Sequence, residues 1–97
     1  MAAYVVSIAR VDDWSEKFQK YADQAADLTD ELGAEYVIRG EPVTNVEGEI
    51  FNDRVMVISK WPSVEAAQSY WNSKEYQEIK PLRDNTGIYD VAIFEEA

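Results

Sequence analysis

From Trp61 to Asp84 the chain reads WPSVEAAQSYWNSKEYQEIKPLRD, and no other stretch restricts its fold as tightly. Pro62 must end the β-branched run Arg54 to Trp61 (RVMVISKW), because a proline inside a ladder removes a donor. Ser63 is placed to cap the helix that follows, with Glu65 near its positive end. Asn72-Ser73 breaks that helix, and Ser73 can restart it. Pro81 should end or kink the second segment near Lys80. The pattern is a strand, a capped helix, a break, and a short second helix.

The rest of the chain supplies the complementary units. Tyr4 to Arg10 (YVVSIAR) is a run of strand length, stopped by Asp12-Asp13. Asp13-Trp14-Ser15-Glu16 has the form of a capping box, with Asp13 as N-cap. Trp14, Phe18, Tyr21, Ala22, Ala25, Leu28 and Leu32 recur at helical spacing, so a helix is expected from about Trp14 to Leu32. Gly33 supplies a left-handed stop. Ala34 to Arg39 is a second strand, interrupted by Gly40 and Pro42, and Val43 to Val46 is expected to continue it past a bulge. Turn residues occupy Gly48 to Asp53. Tyr89 to Phe94 (YDVAIF) is the last strand.

The order β-α-β-β-α-β is the ferredoxin-like one: an α+β fold with a four-stranded antiparallel sheet and the helices on one face. Residues 1–97 suffice for one domain, burying roughly two-thirds of the unfolded surface. In Tyr4 to Ala9 and Val55 to Ile58 both alternating faces are largely apolar. Helices cover only one of them, so the other calls for a partner, most simply a second copy in a two-fold homodimer.

Composition removes whole classes of chemistry. The chain has no cysteine and no histidine, which excludes disulfides, thiolate nucleophiles, Cys-ligated metals, His-based triads and a proximal-His haem. No cofactor and no metal site are expected. Asp23, Asp27, Asp30 and Glu31 lie close on one side of the first helix and read as a solvated face, since no loop wraps an ion there. Nineteen acids against nine bases give a net charge of −10, which repels nucleic acid and anionic membrane surfaces. The apolar run Tyr4 to Ala9 is too short to span a bilayer and no basic residue precedes it, so the expected location is cytoplasmic.

Several motifs make the chain resemble the domain of unknown function 1330 family, a branch of the dimeric α/β-barrel superfamily. They are Tyr36-Val37-Ile38-Arg39-Gly40, Glu47-Gly48, Arg54 with the strand after it, Trp61-Pro62-Ser63-Val64-Glu65-Ala66-Ala67, Ser73-Lys74-Glu75-Tyr76-Gln77, and Arg83. The family usually has Phe at the place of Trp61 and Gly at that of Glu41. The resemblance implies a dimeric α/β barrel without choosing an activity, because the superfamily holds cofactor-free monooxygenases, isomerases, haem-degrading enzymes and plain binding domains.

Six residues stand out as ligand-binding candidates, each with a second reading. Arg39 and Arg83 carry guanidinium forks suited to a carboxylate or a charged carbonyl, set against the plainer reading of an ion pair with one of the many acids. Tyr76 can donate to an oxyanion or serve as a core residue with its hydroxyl at the surface. Ser73 reads chiefly as a helix cap, Trp71 as pocket wall or core, and Glu47 as a general base if buried or a solvated turn residue if not. Arg54 is expected to serve as a strand-edge solubility device or to partner Asp53.

The leading expectation is a homodimer that binds a small polar or aromatic anion between sheet and helices, oriented by Arg39, Tyr76 and Arg83. Cofactor-free proton transfer or oxygen activation is its catalytic form. The alternative is an interaction module whose dimer is the functional form.

Overall fold

The structure, a computed structural model, describes residues 1–97 throughout. Four strands, β1 (Ala3–Val11), β2 (Glu35–Gly40), β3 (Val55–Trp61) and β4 (Gly87–Glu95), form one antiparallel sheet in the order β2-β3-β1-β4. Helices α1 (Glu16–Glu31), α2 (Val64–Asn72) and α3 (Lys74–Ile79) pack on one face, and a 3₁₀ turn over Lys80–Arg83 leads to β4. This is the ferredoxin-like arrangement.

Pairing sorts the sheet into two faces, because partners opposite each other point the same way. Val5 pairs with Ser59 and Ile93, and Ala3 with Trp61, so these face the helices. Their neighbours Tyr4, Val6, Ile8, Met56 and Ile58 face away, where no element of the chain covers them. The core on the helical side gathers Ala3, Val5, Leu28, Trp61, Ala67, Tyr70 and Tyr76.

The α1 start differs from the capping-box reading. Ser15, not Asp13, is the N-cap, without a side-chain bond, and Asp13 Oδ1 instead accepts from the Ser15 amide at 2.9 Å. The cause lies across the fold: the amides of Asp12 and Asp13 both donate to the Thr86 carbonyl, at 2.8 and 3.0 Å. That clamp holds the approach in a turn and delays the helix. Trp14 is left outside it and 55% exposed, while Leu32 becomes the exposed C-cap. Gly33 then takes φ 81°, the predicted left-handed stop.

The expected extension of the second strand is also corrected. Val43 to Val46 form no strand and lie exposed in a loop from Glu41 to Arg54. Gly40 at φ 154° and Pro42, which has no N–H, end the ladder there. The bulge falls earlier, at Val37, between Tyr36 and Ile38. Arg54 does not pair with Asp53, since its Nη1 donates to the Asn52 carbonyl at 3.3 Å. Arg54 also precedes β3, which opens at Val55.

Candidate functional site

The bulge in β2 decides which side chains share a face. Regular alternation from Tyr36 would put Ile38 beside it and turn Arg39 to the opposite side. With Val37 as an extra residue, Tyr36 pairs with Ser59, Ile38 with Ile58 and Arg39 with Val57. Ser59 and Val57 face the helices, so Arg39 is returned to the helical side with Tyr36. Its guanidinium lies 4.9 Å from the centre of the Tyr36 ring.

A cavity of about 380 Å³ lies between sheet and helices, within the usual range for small-ligand sites. Its floor is β1 and β3, through Val5, Ser7, Ala9, Val55, Val57 and Ser59. Phe18, Tyr21 and Ala22 of α1 close one side, and Tyr70, Trp71 and Tyr76 another. The absence of long side chains on the floor leaves the space: Ser7, Ala9 and Ser59 stand where larger residues would fill it. Arg39 and Trp14 reach it from exposed positions and Asp23 adds a carboxylate, while most of the lining is apolar.

An aromatic series backs this space. Trp61 stacks on Tyr70 at 4.5 Å, and Tyr70 and Trp71 lie 4.8 and 4.9 Å from Tyr76. The hydroxyls of Tyr76 and Tyr21 meet at 2.9 Å. Burial raises the pKa of both Tyr21 and Tyr70 well above the ordinary value of 10, reinforced in each by Tyr76. Both phenols therefore stay protonated at neutral pH, so each hydroxyl keeps a proton to donate. The sign for stability follows from the neutral form being favoured in the folded state. That contribution is full below pH ~10 and is lost as pH rises above it. Urea midpoints measured across pH 8 to 12 should therefore fall on the alkaline side, and less steeply in Tyr21→Phe.

Arg83 stands behind the wall rather than in it. Its guanidinium lies 4.3 Å from the Tyr89 ring centre and 5.5 Å from that of Tyr21. Its Nε is buried without a hydrogen-bond partner. Neither Arg39 nor Arg83 forms an ion pair, and the two ion pairs present are Arg10–Asp12 and Lys74–Glu78. So the acidic chain leaves its two singled-out arginines to aromatic rings.

The remaining candidates sit elsewhere. Ser73 caps α3: its Oγ accepts from the Tyr76 amide at 3.1 Å and donates to the Tyr70 carbonyl at 2.7 Å. Ser73→Ala should cost about 1 kcal/mol of stability, read from urea melts, because both bonds go and the Tyr76 helix loses its start. Glu47 lies exposed in the 41–54 loop, beside a separate hollow of about 300 Å³ on the far side of Gly40. Tyr21, Tyr36 and Tyr89 join the site without having been singled out as candidates. For Tyr21 the available signal was a hydroxyl placed on an otherwise apolar helical stripe.

Fold and cavity together define a ferredoxin-like α+β domain with an aromatic-lined pocket between its sheet and its helices. The chain belongs to the DUF1330 family, described as a domain of unknown function, whose model matches residues 2–97. The resemblance carried by the Tyr36 and Trp61 motifs thus holds over nearly the whole length. A search of curated protein sequences finds no match. Among solved structures, the chain is similar to RPA0582 of Rhodopseudomonas palustris, a protein of unknown function. That likeness has a TM-score of 0.75 at 17% identity over 99% of this chain and 82% of the other. It is also similar to a conserved protein of Methanosarcina mazei Go1, at 0.66 and 18% over 100% and 94%. SnoaB, a cofactor-independent oxygenase of Streptomyces nogalater, gives 0.70 at 9% identity over 99% and 93%. At such identities the likeness is one of fold. No helix is long and apolar enough to cross a membrane.

Proposed function

We propose that the chain binds a small, largely apolar or aromatic molecule carrying negative charge, in the cavity between sheet and helices. One observation carries this reading: a bulge turns Arg39 toward an apolar cavity, and no carboxylate of a chain with nineteen acids neutralises it. A cation beside an apolar space is the complement of an aromatic anion. SnoaB, on the same fold, supports a catalytic form in which proton transfer or oxygen chemistry proceeds on an electron-rich ligand without a cofactor.

The working unit in this reading is a homodimer. The face bearing Val6, Ile8, Met56 and Ile58 is apolar and uncovered, and a second sheet placed against it would remove it from water. The same face favours the second reading, an interaction module whose dimer is its functional form.

A thermal-shift screen of aromatic carboxylates, phenols, quinols and lactones separates the two. Charged aromatic members should raise the melting temperature of the wild type and leave Arg39→Ala unshifted, with the variant's own melting temperature close to wild type. Arg39 is exposed at its site, so its loss should cost little stability. No shift from any class would favour the interaction module.

A further inference from the structure

The polar end of the cavity opposite in character to Arg39 is the hydroxyl pair of Tyr21 and Tyr76. Two hydroxyls 2.9 Å apart share one proton between them, because one donates and the other accepts. The accepting hydroxyl keeps its own proton, and no other group of the chain receives a hydrogen bond from either tyrosine. Both side chains line the cavity. One O–H donor is therefore available there, strengthened by the partner hydroxyl that donates to it.

Arg83 sets the field at this end. It is not neutralised by a carboxylate, its Nε lacks a partner, and its guanidinium lies 5.5 Å from the centre of the Tyr21 ring without itself lining the cavity. A fixed cation behind a donor favours negative charge in front of it. The one carboxylate among the lining residues, Asp23 of α1, is exposed to solvent and screened accordingly.

We infer that the Tyr21–Tyr76 hydroxyl pair, backed by Arg83, is an oxyanion anchor, and that the ligand is a hydroxyaromatic or enolic molecule bound through its ionised oxygen. This rests on the proposed cavity reading and adds the substrate class and a second anchor to it. Tyr21, half-buried, touches the ligand oxygen, and Tyr76, 1% exposed, acts through it by donating to the Tyr21 hydroxyl. Arg83 acts through Tyr21 and is a positioning residue. Burial, which keeps the Tyr21 phenol protonated, suits it to donate rather than to compete for the charge.

The probe is 4-nitrophenol, whose phenolate absorbs in the visible while its neutral form does not. Bound to the wild type it should titrate at lower pH than free in solution, its ionisation constant rising roughly tenfold for one charge-assisted bond. Tyr21→Phe should bind the probe with that shift abolished, and Tyr76→Phe with it reduced, because the Tyr21 hydroxyl then donates without its partner. Arg83→Met should reduce it and Arg83→Lys restore part of it, a pattern that a merely structural arginine would not give. Near-ultraviolet circular dichroism of each variant checks that the aromatic cluster is intact. A bound probe that titrates at higher pH than the free one, or equally in wild type and Tyr76→Phe, overturns the anchor and leaves the cavity reading standing. Absence of saturable probe binding to the wild type also overturns the anchor, and the carboxylate arm of the thermal-shift screen then decides the cavity reading by itself.

Discussion

Trp61→Ala is expected to lower the unfolding free energy by about 3–5 kcal/mol, the largest loss from any single side chain here. Trp61 is 2% exposed, and its indole joins sheet to helix by stacking on Tyr70 at 4.5 Å. Its Nε1 donates to Ser59 Oγ at 2.8 Å, so truncation also removes the one bond recorded for a buried serine hydroxyl. A domain of this size has about 5–15 kcal/mol in total, so the variant should lie near the limit of folding. Urea denaturation followed by tyrosine fluorescence measures it. A loss below about 1 kcal/mol would mean that the aromatic series is not the support described. Trp61→Phe should cost much less, because the stack survives and Ser59 alone loses its partner.

The second large effect concerns binding. Exchanging neighbours, Ile38→Arg together with Arg39→Ile, leaves composition and net charge untouched. It should nonetheless weaken a charged aromatic ligand about 10–100-fold, as a lost charge-assisted hydrogen bond would. The bulge at Val37 is the reason: position 39 pairs with Val57 on the cavity side, and position 38 with Ile58 on the other. Calorimetric titration with 1-hydroxy-2-naphthoate reads the change. Undiminished binding by the exchanged protein would show that the cation acts at long range, or that β2 runs without its bulge.

The order of elements was legible because each boundary had a chemical marker. Pro62, Ser63, Ser73, Pro81 and Gly33 all act where local chemistry places them, through a missing donor, a capping hydroxyl or a left-handed backbone. What local chemistry did not contain was long-range restraint. Asp13 has the right neighbours for an N-cap, yet Thr86, seventy-odd residues away in sequence, takes the amides that position the turn. The Val37 bulge is of the same kind. Tyr-Val-Ile-Arg-Gly alternates no more clearly with a bulge than without one, so the face presented by Arg39 follows from pairing with β3.

The site was legible in part for the same reason. Arg39, Trp71 and Tyr76 meet at one cavity, and Arg83 stands behind its wall. The contribution of Tyr21 depends on a hydroxyl contact between α1 and α3, fifty-five residues apart, which no spacing rule reports. The open floor is likewise invisible locally: Ser7, Ala9 and Ser59 are unremarkable strand residues until pairing sets them on one face.

The most direct test is a nitrogen–proton correlation spectrum of labelled protein, recorded while 1-hydroxy-2-naphthoate is added. Saturable shifts are expected of the Arg39 Nε–H signal and of the amides of Tyr36, Val57, Tyr70 and Tyr76, with the 41–54 loop and the Tyr4, Val6 and Ile8 face unmoved. Shifts confined to that loop or to the uncovered face, with Arg39 silent, would contradict the cavity reading.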